Sequence, residues 1–432
     1  MDTLTRVGAG TPMGKLMREY WLPAARSTEL IAGGAPVRLM LLGEKLIAFR
    51  GHDGEVGVLD HRCPHRCASL FFGRNEEGGL RCSYHGWKFD TKGQCLDMPN
   101  VPKHQAFTDK VSAKVYPCVE RNGLLWVYMG ERETVPDLPP FEAGMLDFQD
   151  MNVMVTQREC NWLQGLEGDI DTSHFGFLHA GAVDASLVEP SHPSRYALED
   201  RAPEYMVADT DWGVMYAAFR NTEQENETYW RFAHYLFPFW TMTPEGVFED
   251  HIVARAWVPM DDTHTMFFHL SWKKNTPPGT KLADGTPMPG TQGGGEYLPN
   301  TTDWFGRWRL AANASNDYLM DRDSQDVNYS GIKGIFTQDQ AMTESMGPIV
   351  DHDHEHLAVS DRMITRVRRR MELAVRAHEE GITPPGVDNP ETYCGARSGG
   401  FTVSKSVGWL QAYGDQIHKS LNPTGVLRYA AE

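Results

Sequence analysis

No stretch of this chain stays apolar for the ~18 to 20 residues that a bilayer crossing requires. Even the run from Val37 to Phe49 is cut by Gly, Arg, Glu and Lys. The opening Met1-Asp-Thr-Leu-Thr-Arg-Val-Gly lacks a basic start followed by an apolar segment, so no secretory leader is expected. Cysteine is sparse. Seven in 432 residues, at positions 63, 67, 82, 95, 118, 160 and 394, make an odd and scattered set that excludes a disulfide scaffold and suits a reducing cytoplasm. Basic charge is short as well: a formal net charge of −17 lacks the Lys and Arg excess that phosphate neutralisation demands, which excludes nucleic acid as a partner. No Gly-x-Gly-x-x-Gly follows a strand-like run, so neither NADH nor flavin is expected to bind this chain. No Ser or Cys stands in a nucleophile elbow, and Cys160 and Cys394 read as packing residues. Internal repeats and low-complexity tracts are absent.

What is present is ample core material, 41% hydrophobic and 11% aromatic, in a chain long enough for two domains. Between Ala35 and Gly130, short apolar runs such as Val37–Leu42, Leu46–Arg50, Val56–Leu59 and Leu124–Met129 alternate with Gly, Asp and Asn, which is the pattern of a small all-β unit. The rigid segment Thr134-Val-Pro-Asp-Leu-Pro-Pro-Phe marks a boundary. Longer strand-like runs follow, at Val153–Gln157, Gly213–Phe219, Tyr229–Tyr235, His251–Val258 and Thr265–Leu270. They are interrupted by helical stretches, the clearest being Ser360 to Glu379 with Met363, Val367, Met371, Leu373 and Val375. The expected class is α+β, with an all-β domain over residues 1–150 and a mixed domain over residues 151–432.

Two short clamps carry the first chemistry. Cys63-Pro-His65 and Cys82-Ser-Tyr-His85, separated by 16 residues, lie in strand–turn settings that let two loops converge. Two thiolates and two imidazoles suit an asymmetric [2Fe–2S] centre, in which imidazole on one iron raises the reduction potential. A Cys2His2 zinc site in a binding module is the competing reading, although Cys-x-His is not the usual finger clamp. Cys67 reads as a small buried apolar residue rather than a ligand.

The second concentration is Asn161-Trp-Leu-Gln-Gly-Leu-Glu167-Gly-Asp-Ile-Asp171-Thr-Ser-His174-Phe-Gly-Phe-Leu-His179. On a helix Glu167, Asp171 and His174 share a face, and an opening at Gly176 would let His179 reach the same metal as His174. Two His and one carboxylate on one face of an iron leave positions open for O2.

These motifs resemble those of the Rieske non-heme iron aromatic ring-hydroxylating oxygenases, most closely the phthalate dioxygenase-like oxygenase components. Cys63-Pro-His65-Arg-Cys-Ala-Ser-Leu and Arg81-Cys82-Ser-Tyr-His85-Gly-Trp-Lys-Phe-Asp carry the likeness, which runs on through Val258-Pro-Met-Asp-Asp-Thr-His-Thr to Glu344-Ser-Met-Gly-Pro-Ile. The resemblance implies a Rieske [2Fe–2S] domain followed by a helix-grip-like catalytic domain holding Fe(II). It makes Cys63, His65, Cys82 and His85 the cluster ligands, with either His65 or His85 as the exposed one, and His174 and His179 the iron imidazoles. Asp171 becomes the carboxylate linking the iron site to a cluster histidine of a neighbouring subunit. Phe336-Thr-Gln-Asp339-Gln resembles the stretch that supplies the third iron ligand, which points to Asp339, with Asp326 and Glu344 as substitutes. A trimer or dimer of trimers is implied, as is a separate reductase that uses NADH. O2 and an aromatic substrate complete the reaction.

Asp351-His-Asp-His-Glu-His356 looks like a metal tract, but its alternating spacing scatters the side chains around a loop ahead of a basic helix. For the substrate, Arg220, Arg231 and Arg255 are basic residues set in apolar strands, and a buried Arg needs a carboxylate or a bound anion. Arg220 falls where the resembling family has a pocket arginine, so an aromatic carboxylate that undergoes hydroxylation is expected. O-demethylation of a methoxylated aromatic acid is the alternative, since the aromatic run Phe237-Pro-Phe-Trp-Thr-Met suits a larger, less polar ring.

Overall fold

A computed structural model describes residues 1–181, 195–275 and 295–429 of the chain. Two short helices, α1 (Asp2–Thr5) and α2 (Pro12–Arg18), precede eleven strands. These are β1 (Trp21–Arg26), β2 (Val37–Leu41), β3 (Glu44–Arg50), β4 (Val56–Asp60), β5 (Arg74–Glu76), β6 (Gly79–Arg81), β7 (Lys88–Phe89), β8 (Cys95–Asp97), β9 (Val115–Tyr116), β10 (Cys118–Arg121) and β11 (Leu124–Tyr128). They form three antiparallel sheets ordered β1-β11-β10, β2-β3-β4-β9 and β5-β6-β7-β8. The two-residue turns Leu42-Gly43 and Asn122-Gly123 both take positive φ at each position, the geometry that matches the twist of a tight hairpin. Leucine is an unusual choice there, and its burial explains it. Leu42 is fully enclosed, and the turn's N–H groups donate to Pro259 O and Met260 O of the second unit at 3.0 and 2.7 Å.

The second unit is an eight-stranded antiparallel sheet made from β12 (Met151–Arg158), β13 (Glu204–Thr210), β14 (Gly213–Asn221), β15 (Glu227–Leu236), β16 (Trp240–Met242), β17 (Val253–Pro259), β18 (Thr265–Trp272) and β19 (Gly399–Ser404). Its order is β12-β18-β17-β16-β15-β14-β13, with β19 added to β15. β15 and β17 are buried along almost their whole length because helices cover the sheet. Those helices are α3 (Trp162–Ile170), α4 (Phe175–Leu178), α5 (Arg195–Glu199), α6 (Ile335–Ser345), α7 (Arg362–Glu379) and α8 (Trp409–Lys419). α3 lies on β16 and β17, and α7 on β13 and β14, which gives the helix-grip-like arrangement expected. Met363, Val367, Met371 and Val375 of α7 face the core, whereas Leu373 lies on the opposite side and is exposed, since two residues advance a helix by more than half a turn.

One large apolar core runs through both units, and a smaller one, including Ile47, Phe49, Leu59, Leu80 and Phe89, lies with Cys63 and Cys82 at the base of their loops. The first eighteen residues pack on the second unit. Asn161 Nδ2 donates to Thr5 O at 2.9 Å, Trp162 Nε1 to Leu4 O at 3.2 Å, and the Val7 N–H to Asp262 Oδ1 at 2.9 Å. Among the described residues no helix is long and apolar enough to cross a membrane.

Candidate metal centres

The two Cys/His loops are built alike. In the first, the Cys67 N–H closes on Cys63 O at 2.9 Å and the Cys63 N–H on Ala68 O at 2.8 Å; in the second, the Gly86 N–H closes on Cys82 O at 3.0 Å and the Cys82 N–H on Trp87 O at 2.8 Å. The closing residue takes positive φ in both, +59° at Cys67 and +78° at Gly86. Cys67 is therefore the counterpart of a glycine. It is exposed, not buried as its apolar character suggested. Cys63 and Cys82 are buried side by side, and burial, with Cys82 as a neighbour, pushes the Cys63 thiol up to about 12. Above them the rings of His65 and His85 meet edge-to-face at 4.4 Å, and His65 stacks on Trp87 at 4.5 Å. Nδ1 of each histidine is buried and has no hydrogen-bond partner. A buried imidazole nitrogen left without a partner is costly unless something binds it, so two orphaned nitrogens over two adjacent thiols fit a Rieske [2Fe–2S] cluster. A single zinc would need all four donors within one tetrahedral shell. Among the described residues the compact single-ion donor set is a different one.

That set is His174, His179 and Asp339, whose donor atoms lie within 4.8 Å of one another. Local sequence explains how they meet. α3 starts at Asn161, whose side chain accepts from the Leu163 N–H, and it stops at Asp171. The Asp171 carboxylate turns back to accept from the Ser173 N–H at 2.8 Å and Ser173 Oγ at 2.7 Å, the local bonding by which Asp and Ser compete with a helix. The chain thus breaks at residues 171–173 rather than at Gly176, which lies inside α4. Gly176 answers a different need: a Cβ there would meet Arg201 Cγ at 2.8 Å. His174 and His179 bracket the single turn of α4, while Asp339 comes from α6, which opens after Gly334 in positive φ.

Both imidazoles point the same nitrogen inward. Nε2 of His179 and of His174 lie 3.2 and 3.6 Å from Asp339 Oδ1. Their Nδ1 atoms point outward, His174 to Asp171 Oδ2 at 3.4 Å and His179 to Gln338 Oε1 at 2.7 Å. The Gln338 amide nitrogen donates to Ile332 O at 2.8 Å and Asn328 Oδ1 at 3.2 Å, so its oxygen must be the atom facing His179. His179 therefore carries its proton on Nδ1 and offers the Nε2 lone pair to a metal, and the Asp171 carboxylate imposes the same tautomer on His174. Burial pushes the Asp339 carboxyl up, but His179 and His174 outweigh it and hold it at about 2; Asp171 is lowered likewise, its bond to His174 overcoming burial. Two imidazoles and an ionised carboxylate make the 2-His-1-carboxylate set of a mononuclear iron site.

Other candidates lie elsewhere. Glu167 turns away from the metal face and pairs in fork fashion with Arg368 of α7, at 2.6 Å through both oxygens. Asp326 is exposed, and Glu344 accepts from the Glu159 N–H and Tyr318 Oη at 2.8 and 2.7 Å. The 351–356 tract lies at the surface, where His354 pairs with Asp351 and Glu355 with Arg368. Gln338 carries no signal in the sequence, since a glutamine beside a ligand aspartate is an ordinary helix residue.

Two cavities meet at Asp171, His174 and Asp339. One, about 580 Å³, is walled mainly by Phe177, Trp257, Phe267, Met320, Phe336 and Met342; the other, about 130 Å³, has a mixed lining that includes Phe175, Tyr216, Arg231, Thr243 and Glu245. Arg255 borders both and is matched by Asp169 and Glu245. Arg231 differs. It is buried in the wall of the small cavity, bonded only to Thr172 Oγ1 at 3.0 Å and Pro244 O at 2.9 Å, with no carboxylate among the described residues. Arg220 does not line either cavity. It lies diagonally beside Arg231 on the same sheet face, donates to Asp200 O at 2.8 Å, and is lowered to about 10 by burial and by Arg231.

Residues 20–117 match the Rieske [2Fe-2S] domain family, and residues 127–424 match the family described as LigXa C-terminal domain like. The chain is 54% identical to the 3-chlorobenzoate-3,4-dioxygenase oxygenase subunit of Comamonas testosteroni, over 96% of this chain and 97% of that one. It is 34% identical to the phthalate 4,5-dioxygenase oxygenase subunit of Pseudomonas putida, over 94% and 92%. Among solved structures, dicamba monooxygenase bound to dicamba superposes with a TM-score of 0.56 at 18% identity, covering 85% of this chain and all of the other.

Proposed function

Since this chain belongs to the Rieske non-heme iron aromatic ring-hydroxylating oxygenases, as a large subunit with a [2Fe–2S] cluster and a mononuclear iron, we propose that it hydroxylates an aromatic monocarboxylate. The observation that carries this reading is Arg231, a buried guanidinium beside the iron ligands whose described partners are all neutral. Three of its five N–H groups are engaged, which leaves two for a bound carboxylate. Arg220 adds a second positive charge behind it. The relatives that act on 3-chlorobenzoate and phthalate agree with an anionic ring.

When loaded, the cluster and the iron supply stored electrons and an O2-activating centre, and the chain's own residues do the positioning. Cys63, Cys82, His65 and His85 would hold the cluster, and His174, His179 and Asp339 the iron. Asp171 keeps His174 in its ligating tautomer and presents its carboxylate to a cluster histidine of a neighbouring subunit, in a closed ring of three. Arg231 fixes the acid end of the ring, and the apolar wall excludes water. Electrons would come from NADH through a separate reductase in the cytoplasm.

The test supplies reconstituted enzyme, a compatible reductase and NADH with benzoates, phthalates and methoxybenzoates, and matches O2 consumption to products. Two labelled oxygen atoms in the product select dihydroxylation; formaldehyde selects O-demethylation. Arg231→Met should weaken acids by roughly ten- to a hundredfold, the loss of a charge-assisted bond. Turnover of uncharged rings alone, indifferent to that change, would overturn the carboxylate reading.

A further inference from the structure

The larger cavity is too roomy for a single ring. A dry cavity of ~150 Å³ suffices to hold benzene, whereas this one has about 580 Å³ beside the iron ligands, in addition to the 130 Å³ space that Arg231 borders. Most of its charged and polar wall groups are committed, although Arg158 keeps a buried Nε without a partner and pairs with no carboxylate among the described residues. Arg158 donates to Gln340 Oε1 and Phe336 O, Arg255 to Asp169, and Trp257 Nε1 to Asp169 Oδ2 at 2.6 Å. What remains is aromatic and thioether surface from Phe267, Phe336 and Met320, and from the more exposed Met342 and Met346. Methionine adapts to irregular apolar shapes better than branched side chains do.

We propose that the substrate is an aromatic monocarboxylate extended by a large apolar group, of the size of a second ring. Its acid end lies at Arg231, its reacting ring at the three ligands, and its extension in the Met- and Phe-lined cavity. The inference rests on the carboxylate reading above and adds to it the shape and polarity of the rest of the molecule.

Binding is measured by calorimetry on the holoenzyme for benzoate, 3-chlorobenzoate, 3-phenoxybenzoate, phthalate and uncharged diphenyl ether. The expected order places 3-phenoxybenzoate at least roughly tenfold tighter than benzoate, from the apolar area that a second ring buries. Met342→Trp should shrink the ratio between 3-phenoxybenzoate and benzoate toward one. Iron content and cluster absorbance of the same sample show whether the variant is intact, and Met320→Phe repeats the test at a second lining residue. Equal affinities for benzoate and 3-phenoxybenzoate in the wild type, or phthalate as the tightest ligand, would overturn this inference and leave the carboxylate reading standing. Diphenyl ether binding as tightly as 3-phenoxybenzoate would overturn the carboxylate reading and keep the apolar cavity.

Discussion

At the scale of single residues, function rests on which nitrogen of each histidine is free. Gln338 and Asp171 settle that, because each accepts from Nδ1 and so turns Nε2 toward Asp339 and the metal position. Gln338→Leu removes the acceptor but keeps the volume, and iron affinity should fall by roughly ten- to a hundredfold with the cluster spectrum unchanged. Metal titration against a chelator reads this directly, and wild-type affinity in the variant would show that the tautomer is set elsewhere. Asp171→Asn keeps the shape of the side chain and loses its charge. It should retain most of the iron yet slow single-turnover oxidation of the cluster severely, an outcome that rapid-mixing spectroscopy would contradict if oxidation ran at the normal rate.

At the scale of elements, Glu44 shows how hydrogen bonding ties separate pieces together. It accepts from Arg18 of α2 at 2.8 Å and from Tyr116 of β9 at 2.6 Å, although it belongs to β3. Burial raises its carboxyl, but the Tyr116 hydroxyl and Arg18 more than offset that, so the folded value lies below the ordinary glutamate range. A depressed carboxyl contributes stability that is present above its unfolded pKa and lost as pH falls through the folded one. Glu44→Gln should therefore cost about 1 kcal/mol at pH 7 and flatten the fall of Tm below about pH 5, where the unfolded carboxyl begins to take up its proton. Parallel melting curves for both proteins across that range would refute it. The elements themselves were largely legible. Strands such as Gly213–Asn221 and Thr265–Trp272 stand out by their β-branched and aromatic runs, and α7 by its four-residue spacing. Where the reading went astray, a local competitor decided the outcome. The Asp171-Thr-Ser turn ended α3 early, and Glu167 found Arg368 across 201 residues, a pairing that no local pattern announces.

At the scale of the whole molecule, the iron ligands arrive from two distant places in the chain, and only the clamps close in sequence could be paired from spacing alone. The cluster loops, with 16 residues between them, were legible as a set. The cavities were not, since Met320, Phe267 and Trp257 become neighbours only after the sheet and α6 assemble. The proposed ring of three makes a prediction at this scale: activity should fall on dilution as the assembly dissociates, with sedimentation following the same curve. Full activity in a sedimenting monomer would exclude it.

The hairpin turn at Leu42-Gly43, clasped by Pro259 and Met260, has its own consequence for timing. Together with the eighteen leading residues fastened to the far unit, it makes the electron-storing head a fixed mount rather than an arm that travels. A fixed mount holds the cluster loops in one place relative to the second unit of their own chain, so a swing of the head within that chain does not pace the reaction.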